Sequence, residues 1–206
     1  MLSPGLRKWF ELTGVVPLGV YLVVHVLTYS RALVGASNFG IAPSTSSAFW
    51  LSDLLLLWLP LLVHAALGVR LSFGPLEQER PERNRGLLLR VTGLLSLLFL
   101  VAHAIWLKWP LLSGVLWPSD VSERLMATFS TTWHGVPLTA AWHLLGLAVV
   151  TAHFGWGLGR FLERWGILRE TLARPAAGWV AALLFCVGAV TVIELATGSF
   201  VPRLMR

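Results

Sequence analysis

Charge is scarce in this sequence. Only 13% of its 206 residues are Asp, Glu, Lys or Arg, about half of the roughly 25% that a water-soluble domain carries. With 56% hydrophobic residues and a mean hydropathy of +0.72, the chain has too little polar surface to face water alone. Cysteine is scarcer still. The single Cys186 excludes a disulfide within the chain and leaves no C-x-x-C-H motif for thioether attachment of a cofactor. Its place in the last apolar run reads as core packing. Acidic residues number 10 against 16 basic ones, a net charge of +6 with a pI near 10.7. That balance would suit nucleic acid, but its distribution along the chain points elsewhere.

What the sequence has in abundance is long stretches without charge. Residues 12–30, 54–69, 91–107, 137–159 and 175–193 carry none, and each approaches or reaches the roughly 20 residues of a membrane-spanning helix. The second run reaches that length if it starts near Phe49, with Asp53 at its mouth. The first is too long for the roughly 7–15-residue apolar core of a signal peptide. The expectation is an all-α membrane protein: one transmembrane domain over 1–206, with five helices at about 9–31, 48–73, 87–109, 137–163 and 176–198. Eleven of the 16 Lys and Arg fall on the N-terminus and on loops 70–90 and 160–174, and five on the other side. This is the positive-inside bias. It directs the N-terminus to the cytoplasm and, after five crossings, the C-terminus outside. The basicity is topology, not nucleic-acid binding. Many of the 11 tryptophans lie near run ends, as membrane-interface belts require.

Between the runs, "RLSFGPLEQERPERNR" reads as a surface turn, and residues 31–47 as an irregular Gly/Ser-rich loop. In "SDVSERLMATFS", Asp120 with Glu123 offers a capping box for a short interfacial helix. Pro137 opens the fourth long helix, in a first turn that tolerates it. Helices one and three share Thr-Gly near the inner end and an aromatic residue four before a histidine. Helices two and four share "HAALGVR" and "HFGWGLGR". This weak duplication groups the helices as odd and even.

Four of the helices each hold one deep histidine: His25, His64, His103 and His153. At about 1.5 Å rise per residue, His25 lies roughly 25 Å and His103 roughly 20 Å from the inner boundary marked by Lys8 and Arg90. His64 and His153 lie roughly 10 Å from the boundary marked by Arg70 and Arg160. Two deep histidines toward each side is the pattern of two bis-histidine sites stacked across a bilayer. Zinc wants three or four ligands in one place, and the depths split these. A b-type haem wants two axial imidazoles from facing helices, an apolar slot and cations for its propionates. Gly68 and Gly157, one turn from His64 and His153, would clear space for a porphyrin, and Gly14 would do so near the inner haem. Arg70, Arg90, Arg160 and Arg164 are within reach of inner propionates.

On these segments the chain resembles a known family. "ELTGVVPLGVYLVVH", "LWLPLLVHAALGVRLSF", "RNRGLLLRVTGLLSLLFLVAH" and "GLAVVTAHFGWGLGRFLERWGI" look like the four haem-bearing helices of the five-helix, dihaem cytochrome b anchor of succinate dehydrogenase and fumarate reductase. The resemblance covers nearly the whole chain. It implies His64 with His153 as iron ligands of the proximal haem and His25 with His103 for the distal one, two haem b in all. It further implies a bacterial cytoplasmic membrane, a flavoprotein and an iron–sulfur subunit docked on the cytoplasmic face, and electron exchange with a quinone, usually menaquinone. The succinate–fumarate chemistry would reside in the flavoprotein; this chain would supply the electron-transfer and quinone-site part of the enzyme.

Quinone reduction takes up protons, so an ionisable group near the quinone is expected, and buried membrane acids are suspects. Asp53, where the family has an acidic residue linked to quinone chemistry, and Glu194, near the outer end of helix five, are the two. His143 reads either as a partner for a distal propionate or quinone oxygen, or as an interfacial imidazole beside Trp142. His134 reads as a loop residue. Thr151 stands where some members have a glutamate proposed for proton movement. Two other readings compete. The quinone-linked cytochrome b anchors of hydrogenases and formate dehydrogenases pair histidines about 13–14 residues apart on one helix, a spacing absent here. A haem-free transporter would break its helices at mid-membrane, and Pro17 and Pro60 do not lie opposite each other.

Overall fold

The computed structural model describes residues 4–35, 54–74, 80–113 and 120–198. Asp53 and most of the Gly/Ser-rich stretch lie outside them. The described residues are helical, without a strand. Helix α1 spans Pro4–Val15 and α2 spans Pro17–Tyr29, followed by a 3-10 turn at Ser30–Val34. A π-helical turn at Leu54–Trp58 leads into α3, Leu59–Ser72. Helix α4 spans Arg80–Leu112, α5 Val121–Ser130, α6 Leu138–Arg164 and α7 Glu170–Thr197. Among the described residues, five segments are long and apolar enough to cross a membrane: Gly5–Val34, Leu54–Ser72, Arg83–Trp106, Leu138–Arg164 and Glu170–Thr197.

Several boundaries differ from those expected. Helix α4 begins at Arg80 rather than near 87, inside the segment expected to be a turn. Arg and Glu are good helix formers once their charged heads can leave the apolar zone, and Pro81 sits in the first turn, where its missing N–H costs nothing. For the same reason α7 starts at Glu170, whose carboxylate suits a helix N-terminus. The first crossing is interrupted at Val16. Pro17 cannot donate to the Thr13 carbonyl, and the chain continues through Val16 N–H to Leu12 O and Val20 N–H to Val16 O, at 2.9 and 3.0 Å. The short helix expected near 120 is present, but Asp120 makes no side-chain cap hydrogen bond. Its helical backbone (φ −95°, ψ −3°) is not the extended one from which a cap reaches back. Between α5 and α6, Trp133 and Val136 exchange backbone hydrogen bonds around His134 (φ 49°) and Gly135 (φ 79°). His134 is a tight-turn residue.

The chain divides into two compact units. One comprises Met1–Leu22, Thr45–Leu98 and Val149–Ala182; the other comprises Val23–Ser44, Phe99–Ala148 and Leu183–Arg206. In the first unit α1 packs on α3, and α6 packs on α7 through small residues. A methyl group on Gly155 would lie 2.7 Å from Ala181 Cβ, and one on Gly159 would meet Ala177 Cβ at 3.5 Å. This small-residue seam lets two membrane helices approach closely where no hydrophobic force drives them together. In the second unit Ala32, Val121, Leu125, Phe129, Ala140 and Leu195 form the core, so the amphipathic α5 buries its apolar face there. Outside these cores, large apolar side chains such as Leu62, Leu145 and Leu183 are about two-thirds exposed, a surface suited to lipid rather than water.

Candidate haem-binding histidine pairs

The first unit brings His64 of α3 and His153 of α6 together, their ring centres 6.3 Å apart and their planes at 71°. Each ring rests on a Thr-Gly step, that of α1 or that of α4. His64 lies against Gly14, leaving no room there for a side chain, and His153 lies against Gly93, where a methyl would stand 3.0 Å from Cε1. The threonine of each step faces the same ring. Thr13 Oγ is 3.5 Å and the Phe10 carbonyl 3.0 Å from His64 Nδ1, and the Phe10 ring stacks on His64 at 4.4 Å. A carbonyl only accepts, so Nδ1 of His64 carries the proton and Nε2 keeps the lone pair. Thr92 Oγ lies 3.3 Å from His153 Nδ1 and donates to the Leu88 carbonyl at 2.7 Å, so it accepts from His153 and again leaves Nε2 as the lone-pair nitrogen.

The second unit brings together three histidines. His25 of α2 and His103 of α4 have ring centres 6.0 Å apart with planes at 83°. His143 of α6 lies 5.3 Å from His103, and its Nε2 is 3.2 Å from His103 Nδ1. The two kinds of spacing differ in meaning. A metal ion held at about 2 Å by one nitrogen of each of two facing imidazoles separates their centres by roughly 6 Å. The His64–His153 and His25–His103 spacings fit that span. The His103–His143 contact is a direct hydrogen bond with no space for an ion between the nitrogens. No group of three or more His, Cys, Asp or Glu among the described residues could hold a metal, so the donor set is one of pairs and suits haem rather than structural zinc.

The other expected site residues are distributed unequally. A methyl on Gly157 would meet nothing within 4 Å, leaving that face of α6 open, whereas Gly68 faces the Phe10 ring at 3.6 Å. Gly14 holds the His64 ring itself. Arg164 pairs with Glu11. Arg90 donates through Nη1 to the carbonyls of Ser72 (3.2 Å) and Gly74 (2.6 Å), closing the end of α3. Arg70 is exposed and Arg160 half-buried. Glu194 is buried, at 5% exposure, as is Thr151 at 2%. His143 is enclosed within the protein: Nδ1 lies 2.7 Å from the Thr139 carbonyl, and the rings of Phe129, Trp106 and Phe99 surround it with centres at 4.6, 5.5 and 5.8 Å. A cleft of about 350 Å³ opens beside it, lined by His103, Trp106, Trp142, Leu138 and Thr139.

The sequence reading missed three partners. Phe10 and Glu11 were visible only as neighbours of the first Thr-Gly step, and Gly93 only as the glycine of the second. The chain is similar to the succinate dehydrogenase cytochrome b558 subunit of Bacillus subtilis (strain 168), with 26% identity over 192 residues, covering 87% of this chain and 88% of that protein. No family model and no solved structure matches it.

Proposed function

We propose that this relative of the succinate dehydrogenase cytochrome b558 subunit is the dihaem membrane anchor of a succinate:quinone oxidoreductase, a multi-pass protein of the bacterial cytoplasmic membrane. The observation that carries the reading is the pair of histidine couples, 6.3 and 6.0 Å between ring centres. His64 with His153 hold the proximal haem and His25 with His103 the distal one. Bound haem supplies one-electron transfer between an iron–sulfur partner at the arginine-rich end and a membrane quinone, menaquinone by resemblance.

The chain's own residues do the rest. Phe10, Thr13 and Thr92 tie down Nδ1 of the proximal ligands, fixing ring orientation and leaving Nε2 for the iron, as outer hydrogen-bond partners of metal-bound histidines do. Gly157 leaves space for the macrocycle, whereas the Phe10 ring covers Gly68. Arg70 and Arg160 provide propionate cations, with Arg90 and Arg164 behind them. Asp53 and Glu194 are the proton-exchanging groups for quinone, and the burial of Glu194 in an apolar span supports its assignment. The flavoprotein and iron–sulfur subunits dock on the arginine-rich face and carry out the dicarboxylate chemistry.

The test is a haem count. Purified protein reduced with dithionite gives a b-type spectrum with two haems per chain, and His153→Ala gives one. A wild-type preparation without haem rejects the assignment, and a single haem in wild type rejects the two-pair arrangement.

A further inference from the structure

We infer that His143 is a positioning residue for His103: it fixes the tautomer in which Nε2 of His103 faces the metal, and it strengthens that nitrogen as a donor. The inference rests on the reading that His103 ligates the distal haem. The hydrogen-bond chain has one direction. Nδ1 of His143 lies 2.7 Å from the Thr139 carbonyl, which can only accept, so that nitrogen carries the proton of the neutral ring. Nε2 of His143 is then a lone pair, 3.2 Å from Nδ1 of His103, and His103 must donate to it. The lone pair of His103 is left on Nε2.

The two proximal ligands are backed differently. His64 donates to a backbone carbonyl and His153 to a threonine hydroxyl, whereas His103 donates to an imidazole nitrogen, a stronger base than either. The His143–Thr139 bond polarises that nitrogen further, since hydrogen bonds in a chain reinforce one another. The acceptor is also rigid. His143 is 9% exposed, within a shell of Phe99, Trp106 and Phe129, so its ring stays against His103. A more basic axial ligand favours ferric over ferrous iron, so the contact holds the distal haem at a lower potential than it would otherwise have.

His143→Leu removes the acceptor, and His143→Gln restores an oxygen that can accept. Haem content, separate redox titrations of the two haems and the low-spin ferric EPR signals are the readouts, with His103→Ala identifying the distal haem. His143→Leu is expected to keep both haems and shift the distal reduction equilibrium about tenfold toward ferrous iron, about 59 mV upward for one electron. The proximal haem should stay in place and His143→Gln should lie between. Unchanged distal potential with both haems bound overturns the inference, as does a shift confined to the proximal haem. If His143→Leu loses the distal haem, its retention in His143→Gln supports the acceptor role, and its loss from both variants overturns it. Absence of haem in the wild type instead rejects the dihaem assignment, and two haems in His103→Ala reject His103 as a ligand.

Discussion

At the residue scale, the two Thr-Gly steps explain why imidazoles can sit deep in apolar helices. A buried imidazole needs a partner for its N–H. Thr13 with the Phe10 carbonyl, and Thr92, supply that partner to His64 and His153. The glycine of each step lets the ring approach the backbone closely enough to use it. A methyl group added at either glycine tests this. Gly14→Ala drives Cβ into the His64 ring, and overpacking of this kind costs about 1–3 kcal/mol. It should reduce bound haem from two per chain to one, with Gly93→Ala acting more weakly because its Cβ only crowds His153 at 3.0 Å. Alanine is the better helix former by about 1 kcal/mol, so propensity works against the predicted loss. Gly178→Ala, where a methyl meets nothing within 4 Å, is the control. Two haems retained in Gly14→Ala would show that His64 does not need this seat.

At the scale of the element, the helix ends nearest the arginines are tied by side chains that the apolar runs do not reveal. Arg164 at the end of α6 pairs with Glu11 of α1, and the second oxygen of Glu11 is buried without a hydrogen-bond partner among the described groups. Arg164→Ala therefore removes the paired guanidinium from a carboxylate that is largely out of water. A destabilisation of about 1–3 kcal/mol is expected, below the value for a fully buried pair because both side chains keep some solvent. Thermal unfolding in detergent should show the Glu11→Gln/Arg164→Ala double variant to be more stable than Arg164→Ala alone. Equal stability of the two would mean that the pair is not coupled.

This contrast also marks what the sequence made legible. The lengths of charge-free runs fix where helices can cross a membrane, and the constant rise per residue turns spacing into depth. The five spans and the grouping of His64 with His153 and His25 with His103 come from those two quantities. The Glu11–Arg164 pair, the Phe10 stack and the His103–His143 bond depend instead on how each helix is turned about its axis and which helix lies beside it. Packing decides that, not spacing along one helix. His143 shows the difference most clearly: its depth removed it from the ligand set, but only the geometry of α4 and α6 gave it a partner.

At the scale of the whole molecule, charge decides how the protein sits in the membrane. Eleven of the 16 basic residues lie on the N-terminus and on loops 70–90 and 160–174, a bias that would direct that end to the cytoplasm. Alkaline phosphatase fused after Arg206 should therefore be active, because the enzyme matures only outside the cytoplasm, and the same reporter fused after Arg85 should be inactive. The opposite pattern would reverse the assignment of the two haems to membrane sides and move the docking face. The Thr-Gly seats bear on biogenesis as well. His64 is seated by the crossing made just before it, and His153 by the α4 crossing that precedes its own. As the chain leaves the ribosome and enters the bilayer, each helical hairpin can orient its histidine before any later helix exists. On the proposed assignment, haem capture by His64 and His153 would still wait for α6, so the earlier crossings would be in place before the cofactor is bound.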